Sequence, residues 1–270
     1  MVKRLAVTCI LAVLFLIPLS EADAQVFFRD KVVVLLYHDI SDDRENGATI
    51  SPELFAEHMA VLERDFNVVS LDDAVAFQSG SRPVPPNAVA ITFDDGYRSN
   101  YEVAFPILKE HGWPATVFLT INDVGRVNPT LAWLTWEQIT EMSQCGITFG
   151  SHSLSHGRIG ERGELVTPWP WESQEDYQSR VRLGLTKSYQ VLADHGVGSL
   201  HFAAPFGQIN QTVKDSAKQA GFRYLWGVDT LPVTRGSDKL NRIDVGACWT
   251  SAQDLHQMII ETAKMNPPNE

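Results

Sequence analysis

Nowhere in this chain of 270 residues do lysines and arginines gather into a run. Acids outnumber bases 33 to 22, for a net charge of −11. That balance excludes a surface built to neutralise nucleic-acid phosphates or an anionic membrane. It suits a neutral partner, or one that becomes cationic on reaction. Cysteine is scarce too, with three in all. Cys9 falls in an N-terminal apolar stretch, which leaves Cys145 and Cys248. Spacing alone leaves open whether those two pair or stay as thiols. No Gly-x-Ser-x-Gly elbow occurs, which argues against a serine hydrolase. No internal repeat and no low-complexity tract breaks the chain.

One apolar run stands apart from the rest. Leu5 to Leu19 follows Lys3 and Arg4 and precedes Ala22-Asp23-Ala24. A basic start, a short apolar centre and a small-x-small site make residues 1–24 a secretory signal peptide. The run is short for a membrane anchor. The expectation is therefore a mature chain over 25–270, secreted or periplasmic, with no membrane span after cleavage.

Strand and helix signals alternate through that mature chain. Val32–Tyr37, Ala88–Phe93 and Ala115–Leu119 are continuous apolar runs, the pattern of strands buried on both faces. Helices are expected over Ser51–Phe66, with Ser51 as N-cap and Pro52 behind it, over Tyr101–His111 closed by Gly112, and over Thr135–Cys145 behind a capping box. Longer or later ones follow over Ser173–His195, Thr212–Ala220 and Ser251–Lys264. Seven or eight βα units predict a single α/β domain, a parallel barrel in preference to an open sheet.

Polar residues of unusual chemistry follow the carboxyl ends of these strands. Asp94 and Asp95 stand side by side before Gly96, and about sixty residues later come His152 and His156. Paired carboxylates repel, so one is expected to have its pKa raised and the other to stay ionised. Asp95, His152 and His156 make a carboxylate and two imidazoles, a catalytic ligand set for zinc. The two histidines are four apart and would share one face of a helical turn. Successive residues of a strand point to opposite sides, so Asp94 is free to act as the base. Gly96 lets the chain turn away sharply. A glycosidase reading fails on distance, because its carboxylates flank the substrate about 5–10 Å apart.

Thr92-Phe93-Asp94-Asp95-Gly96 followed by Ser151-His152-x-x-x-His156 resembles the polysaccharide deacetylases of carbohydrate esterase family 4, the NodB-like group. Leu36-Tyr37-His38-Asp39-Ile40, Glu175-Asp176-Tyr177 with Arg180, Phe202 to Gly207, and Leu240-Asn241-Arg242-Ile243 narrow the resemblance to the exported poly-β-1,6-N-acetylglucosamine deacetylases of the PgaB and IcaB type. The resemblance covers about Val32 to Leu255. It implies a distorted (β/α)7 barrel and removal of N-acetyl groups from an acetylated polysaccharide. It implies Asp94 as general base and Asp95, His152 and His156 as ligands of a divalent metal, zinc first and cobalt or nickel as alternatives. A backbone N–H near Tyr97 would hold the oxyanion.

Tyr97, Pro205, Phe206 and Trp226 are expected to contact the substrate, and His38 to stand behind the metal ligands. The family pattern places an arginine two residues before the proline that here is Pro205; this chain has Ala203 there. Arg242 either partners Asp94 in its place or pairs on the surface. No late Leu-x-His segment supplies a general acid, and His256 lies far into the last helix. Trp169 and Trp171 either stack on sugar rings or pin their loop. The chain length is expected to leave no room for the second, glycan-cleaving domain of some relatives. Rival readings are a deacetylase of peptidoglycan, chitin or an O-acetylated glycan, a silent carbohydrate-binding module on the same barrel, and a structural subunit of an export complex.

Overall fold

Six apolar residues, Val32–Tyr37, form strand β1, and every one is buried. The computed structural model describes residues 25–42, 47–156 and 165–266; the expected signal peptide lies outside them. β2 (Asp39–Ile40) and β3 (Thr49–Ile50) make a small parallel pair of their own. β4 (Asn67–Val68) lies beside the start of β5 (Ala88–Phe93). Then follow β6 (Ala115–Leu119), β7 (Ile147–Ser151), β8 (His201–Ala203), β9 (Tyr224–Val228) and β10 (Leu240–Asp244). The sheet runs β1-β10-β9-β8-β7-β6-β5, and β5 pairs back onto β1, all in parallel. Seven strands therefore close a distorted (β/α)7 barrel.

The period of two along each strand divides the core. Val33, Leu35 and Tyr37 face out, packed with α1 (Pro52–Asp65) and α7 (Ala252–Lys264). Val32 and Val34 face in, with Ala88, Ala90, Phe118, Ala203 and Trp226. α2 (Leu71–Gln78) packs its apolar side on these inward residues, which closes the amino end of the barrel. The remaining helices are α3 (Phe105–His111), α4 (Trp136–Ser143), α5 (Gln174–Asp194) and α6 (Gln211–Ala220). Their starts follow local chemistry. Ser51 accepts the N–H of Leu54, and Thr135 with Gln138 forms the expected capping box.

The helix expected over Tyr101–His111 departs from the simple pattern. Asn100–Ala104 is a π-turn that leads into α3, with the Phe105 N–H bonded to the Asn100 carbonyl. Pro106 follows at once and has no N–H to give to the carbonyl four residues back. The wider turn absorbs that missing donor, next to the first strand's end. The link between β9 and β10 holds no helix at all, so this part of the barrel wall lacks the cover its neighbours have.

Candidate active site

β5 delivers Asp94 to the carboxyl end of the barrel. Its backbone N–H donates to the Tyr37 carbonyl at 2.9 Å, and its side chain is almost wholly buried. The next two residues are left-handed, Asp95 at φ 68° and Gly96 at φ 72°. A Cβ on Gly96 would stand 2.6 Å from Leu119 Cδ2, so the turn needs glycine for space as well as for backbone freedom. This curl corrects the expectation that the two acids point apart. Asp94 Oδ2 and Asp95 Oδ1 both face His152 Nε2, at 3.7 and 3.8 Å. A left-handed aspartate is a strained residue of the kind that gathers at functional sites.

β7 delivers the histidines, but not through a helical turn. Beyond Ser151 the chain bends at Ser153, which is left-handed at φ 77°. The Ser151 hydroxyl accepts the Ser153 N–H and donates to Ser188 on α5, which fixes the bend. His156 then returns, with Nε2 4.0 Å from Asp95 Oδ1. His152 Nδ1 lies 2.9 Å from the Ala203 carbonyl, which can only accept. Nδ1 therefore carries the proton and Nε2 keeps its lone pair toward the carboxylates. Burial pushes the His152 pKa down, against the pull of Asp94 and Asp95, and favours the neutral imidazole a metal requires.

One donor atom from each of Asp95, His152 and His156 can be chosen so that all lie within 4.8 Å of one another. One carboxylate and two imidazoles fit a catalytic divalent metal by donor type and number.

Arg242 resolves the alternative left open above. It is fully buried inside the barrel and grips Asp94 through both oxygens, Nη1 to Oδ1 at 2.6 Å and Nη2 to Oδ2 at 2.9 Å. Phe118 lies under the guanidinium, 5.0 Å from its ring centre. Ala203, where the resemblance expects an arginine, faces the same interior. Burial alone would raise the Asp94 pKa. The Arg242 charge, then His152, and the Arg242 hydrogen bonds outweigh it and hold the carboxyl well below the usual range. The expected rise from the neighbouring acid does not appear at Asp94, because the guanidinium dominates.

The other predicted residues divide. Phe206 is left-handed at φ 58°, 45% exposed, and meets His156 edge to face with ring centres 4.8 Å apart. Pro205 is buried beside it. Tyr97 stacks on Trp133 at the rim, 5.7 Å between centres. Trp226 does not reach the cleft surface. It is fully buried, and its indole N–H donates to His201 Nδ1 at 2.9 Å, with His201 Nε2 in turn on Asp72. His38 follows β1 beside Asp94; its carbonyl accepts from Asn100, and its buried Nδ1 has no partner among the described residues. His256 packs on Phe27 and Phe66, against Asp65, and takes no part in the cluster. Trp169 is pinned by Arg180, whereas Trp171 is 77% exposed. Cys145 and Cys248 are separate thiols. The carbonyl of Ala203, which orients His152, carries no sequence signal, since every residue has one.

The family described as polysaccharide deacetylase matches residues 81–225. The poly-β-1,6-N-acetyl-D-glucosamine N-deacetylase of Escherichia coli K12 is 25% identical over 265 residues, which is 87% of this chain but only 39% of that protein. The enzyme of the same description from Staphylococcus epidermidis is 24% identical over 249 residues, 82% of this chain and 83% of its own. Among solved structures, a de-N-acetylase from Aggregatibacter actinomycetemcomitans superposes with a TM-score of 0.73 at 26% identity, covering 85% of this chain and all of the other.

Proposed function

This chain belongs to the polysaccharide deacetylase family, and we propose that it hydrolyses N-acetyl groups from an N-acetylglucosamine polymer, poly-β-1,6-N-acetyl-D-glucosamine, in a cell-surface or biofilm matrix. The observation that carries the reading is the meeting of Asp95, His152 and His156 within 4.8 Å, with the buried Asp94 3.7 Å from His152. The names of the E. coli and S. epidermidis relatives support the substrate. The apolar leader supports export to the periplasm or beyond the cell, and no described helix is long and apolar enough to cross a membrane.

Asp95, His152 and His156 would hold the divalent ion, zinc by donor type with cobalt or nickel as alternatives. When bound, it polarises the acetyl carbonyl and lowers the pKa of a water. The protein's own groups do the rest. Asp94 Oδ2 faces the cluster and takes the proton of the attacking water, while Arg242 keeps the carboxylate ionised and fixed. The backbone N–H of Tyr97, just past the acid pair in sequence, would donate to the developing oxyanion. His38 takes the part of proton donor to the leaving amine. It follows the strand beside that of Asp94, acts electrostatically on it, and offers an imidazole nitrogen without a partner among the described residues. Phe206 and the Tyr97–Trp133 stack border the mouth with flat apolar faces suited to sugar rings.

The test is acetate release from poly-β-1,6-N-acetylglucosamine by the purified protein, after chelation and again after adding zinc, cobalt or nickel. Release restored by metal and lost in Asp94→Asn is the expected result. Release by the chelated protein, or undiminished release by Asp94→Asn, rules the mechanism out.

A further inference from the structure

The barrel wall between α6 and the helix-free β9–β10 link holds a groove of about 950 Å³. Its floor is Gly227 on β9 and Asn241 on β10, neighbours in register. A Cβ on Gly227 would come within 3.2 Å of Asn241 Oδ1, so the missing side chain keeps the carboxamide uncovered. Asn241 is only 7% exposed, yet its side chain makes no hydrogen bond within the described structure. Its carboxamide atoms reach solvent through the groove, which leaves them open to hydrogen-bond whatever fills it.

The walls carry Lys214, Lys218, Arg223 and Lys239. None of these four side chains forms an ion pair or hydrogen bond among the described residues. Three carboxylates line the same groove and keep their charge: Asp215, which accepts from Gln211, Asp229, which accepts from the Thr230 N–H, and Asp238. On a chain of net charge −11, four cations against three carboxylates leave this lining slightly positive. Phe222, Tyr224 and Val228 add apolar surface between the charges. The upper end opens at Gly207, next to Phe206 and the catalytic mouth.

We propose that this groove is a second binding site, one that takes an acidic saccharide, its carboxylates met by the four cations and its ring hydroxyls by Asn241. The volume exceeds what a single small anion fills, and the mixture of apolar and hydrogen-bonding surface suits a sugar better than a bare polyanion. The site goes beyond the deacetylation reading and does not depend on it.

The test is titration calorimetry of the whole protein with tetragalacturonate, tripolyphosphate and neutral tetra-N-acetylchitotetraose, with acetate release followed in parallel as a separate readout. Tetragalacturonate should bind, and the other two should bind at least about tenfold more weakly. Lys214→Gln with Lys218→Gln, both exposed, should weaken uronate binding by about tenfold or more while leaving folding and acetate release intact. Asn241→Asp, which puts a like charge on the floor, should do the same, and Lys109→Gln on α3 should change nothing. Equal binding of the neutral oligomer would make the groove an extension of the substrate cleft and overturn the proposal. Equal binding of tripolyphosphate, no uronate binding at millimolar concentration, or uronate binding indifferent to the lysine pair would also overturn it.

Discussion

Arg242 on β10 reaches across the hollow of the barrel and holds Asp94 on β5 with two parallel hydrogen bonds, 2.6 and 2.9 Å long. Neither side chain meets solvent to any useful extent. The pair fixes the direction of Asp94 Oδ2 toward the histidines, and fork-on-carboxylate geometry is something lysine cannot reproduce. Arg242→Lys should therefore lower kcat by about 10²-fold or more with metal content unchanged. Arg242→Ala leaves a buried carboxylate alone and should also cost about 3–5 kcal/mol of stability. Steady-state acetate release with metal analysis, and denaturant unfolding, check the two parts. Full activity in Arg242→Lys would show that Asp94 needs no fork.

His152→Ala should abolish metal-linked stabilisation. A ligand that binds only the folded state adds about 2.7 kcal/mol at one hundred times its Kd. Zinc should raise the melting temperature of the unaltered protein and leave that of the variant where it was. The same rise in both would place the ion elsewhere.

Gly96→Ala asks a side chain to adopt φ 72° with Leu119 Cδ2 2.6 Å away. Left-handed strain costs about 1–2 kcal/mol before any crowding is counted. Because Asp95 shares the turn, metal affinity should fall along with stability. Calorimetric unfolding and zinc titration read both. A loss of stability with zinc affinity untouched would mean that Asp95 is held independently of the curl.

His58 is wholly buried between Tyr37 and Thr250. Its Nε2 lies 2.8 Å from the Thr250 carbonyl, so that nitrogen carries the hydrogen and Nδ1 accepts from the Tyr37 hydroxyl. Burial lowers its pKa, outweighing the Thr250 bond and the Glu57 charge, which act the other way. The unfolded chain thus takes up a proton near the ordinary histidine pKa while the folded chain resists. Stability is complete above that value and declines as pH falls through it, by at most about 1.4 kcal/mol per pH unit from this group. Buried His152 acts in the same direction. His58→Gln should flatten the decline between about pH 7 and 5 without removing it. Parallel unfolding curves for the two proteins across that range would assign the acid sensitivity to other groups.

Much of this architecture is legible in the chain itself. Continuous apolar runs such as Val32–Tyr37 and Ala88–Phe93 announce strands buried on both faces, and Asp94, Asp95, His152 and His156 follow strand ends where a barrel gathers its chemistry. What stays hidden depends on relations across the ring. Whether Arg242 meets Asp94 turns on which residues of β10 face inward, and that phase is set by pairing with β9 and β1 rather than by local pattern. Trp226 is sent inward by the same rule, away from the cleft it was expected to line. The left-handed turns at Asp95 and Ser153 are backbone choices that a non-glycine residue conceals, and they replace the opposite-facing acids and the helical histidine pair with a tighter cluster. The π-turn at Asn100–Ala104 has a visible cause in Pro106, but a proline in the first turn of a helix is equally at home in an ordinary one.

The placement of Arg242 on the tenth strand, while Asp94 follows the fifth, gives the chain an order of assembly. A ribosome hands over Asp94 long before residues 240–244 exist. Until β10 slots between β9 and β1, that carboxylate lacks its guanidinium, and its burial is opposed by its own charge. Ring closure and the pairing of Asp94 therefore come into being together, because the strand that completes the barrel also brings the guanidinium.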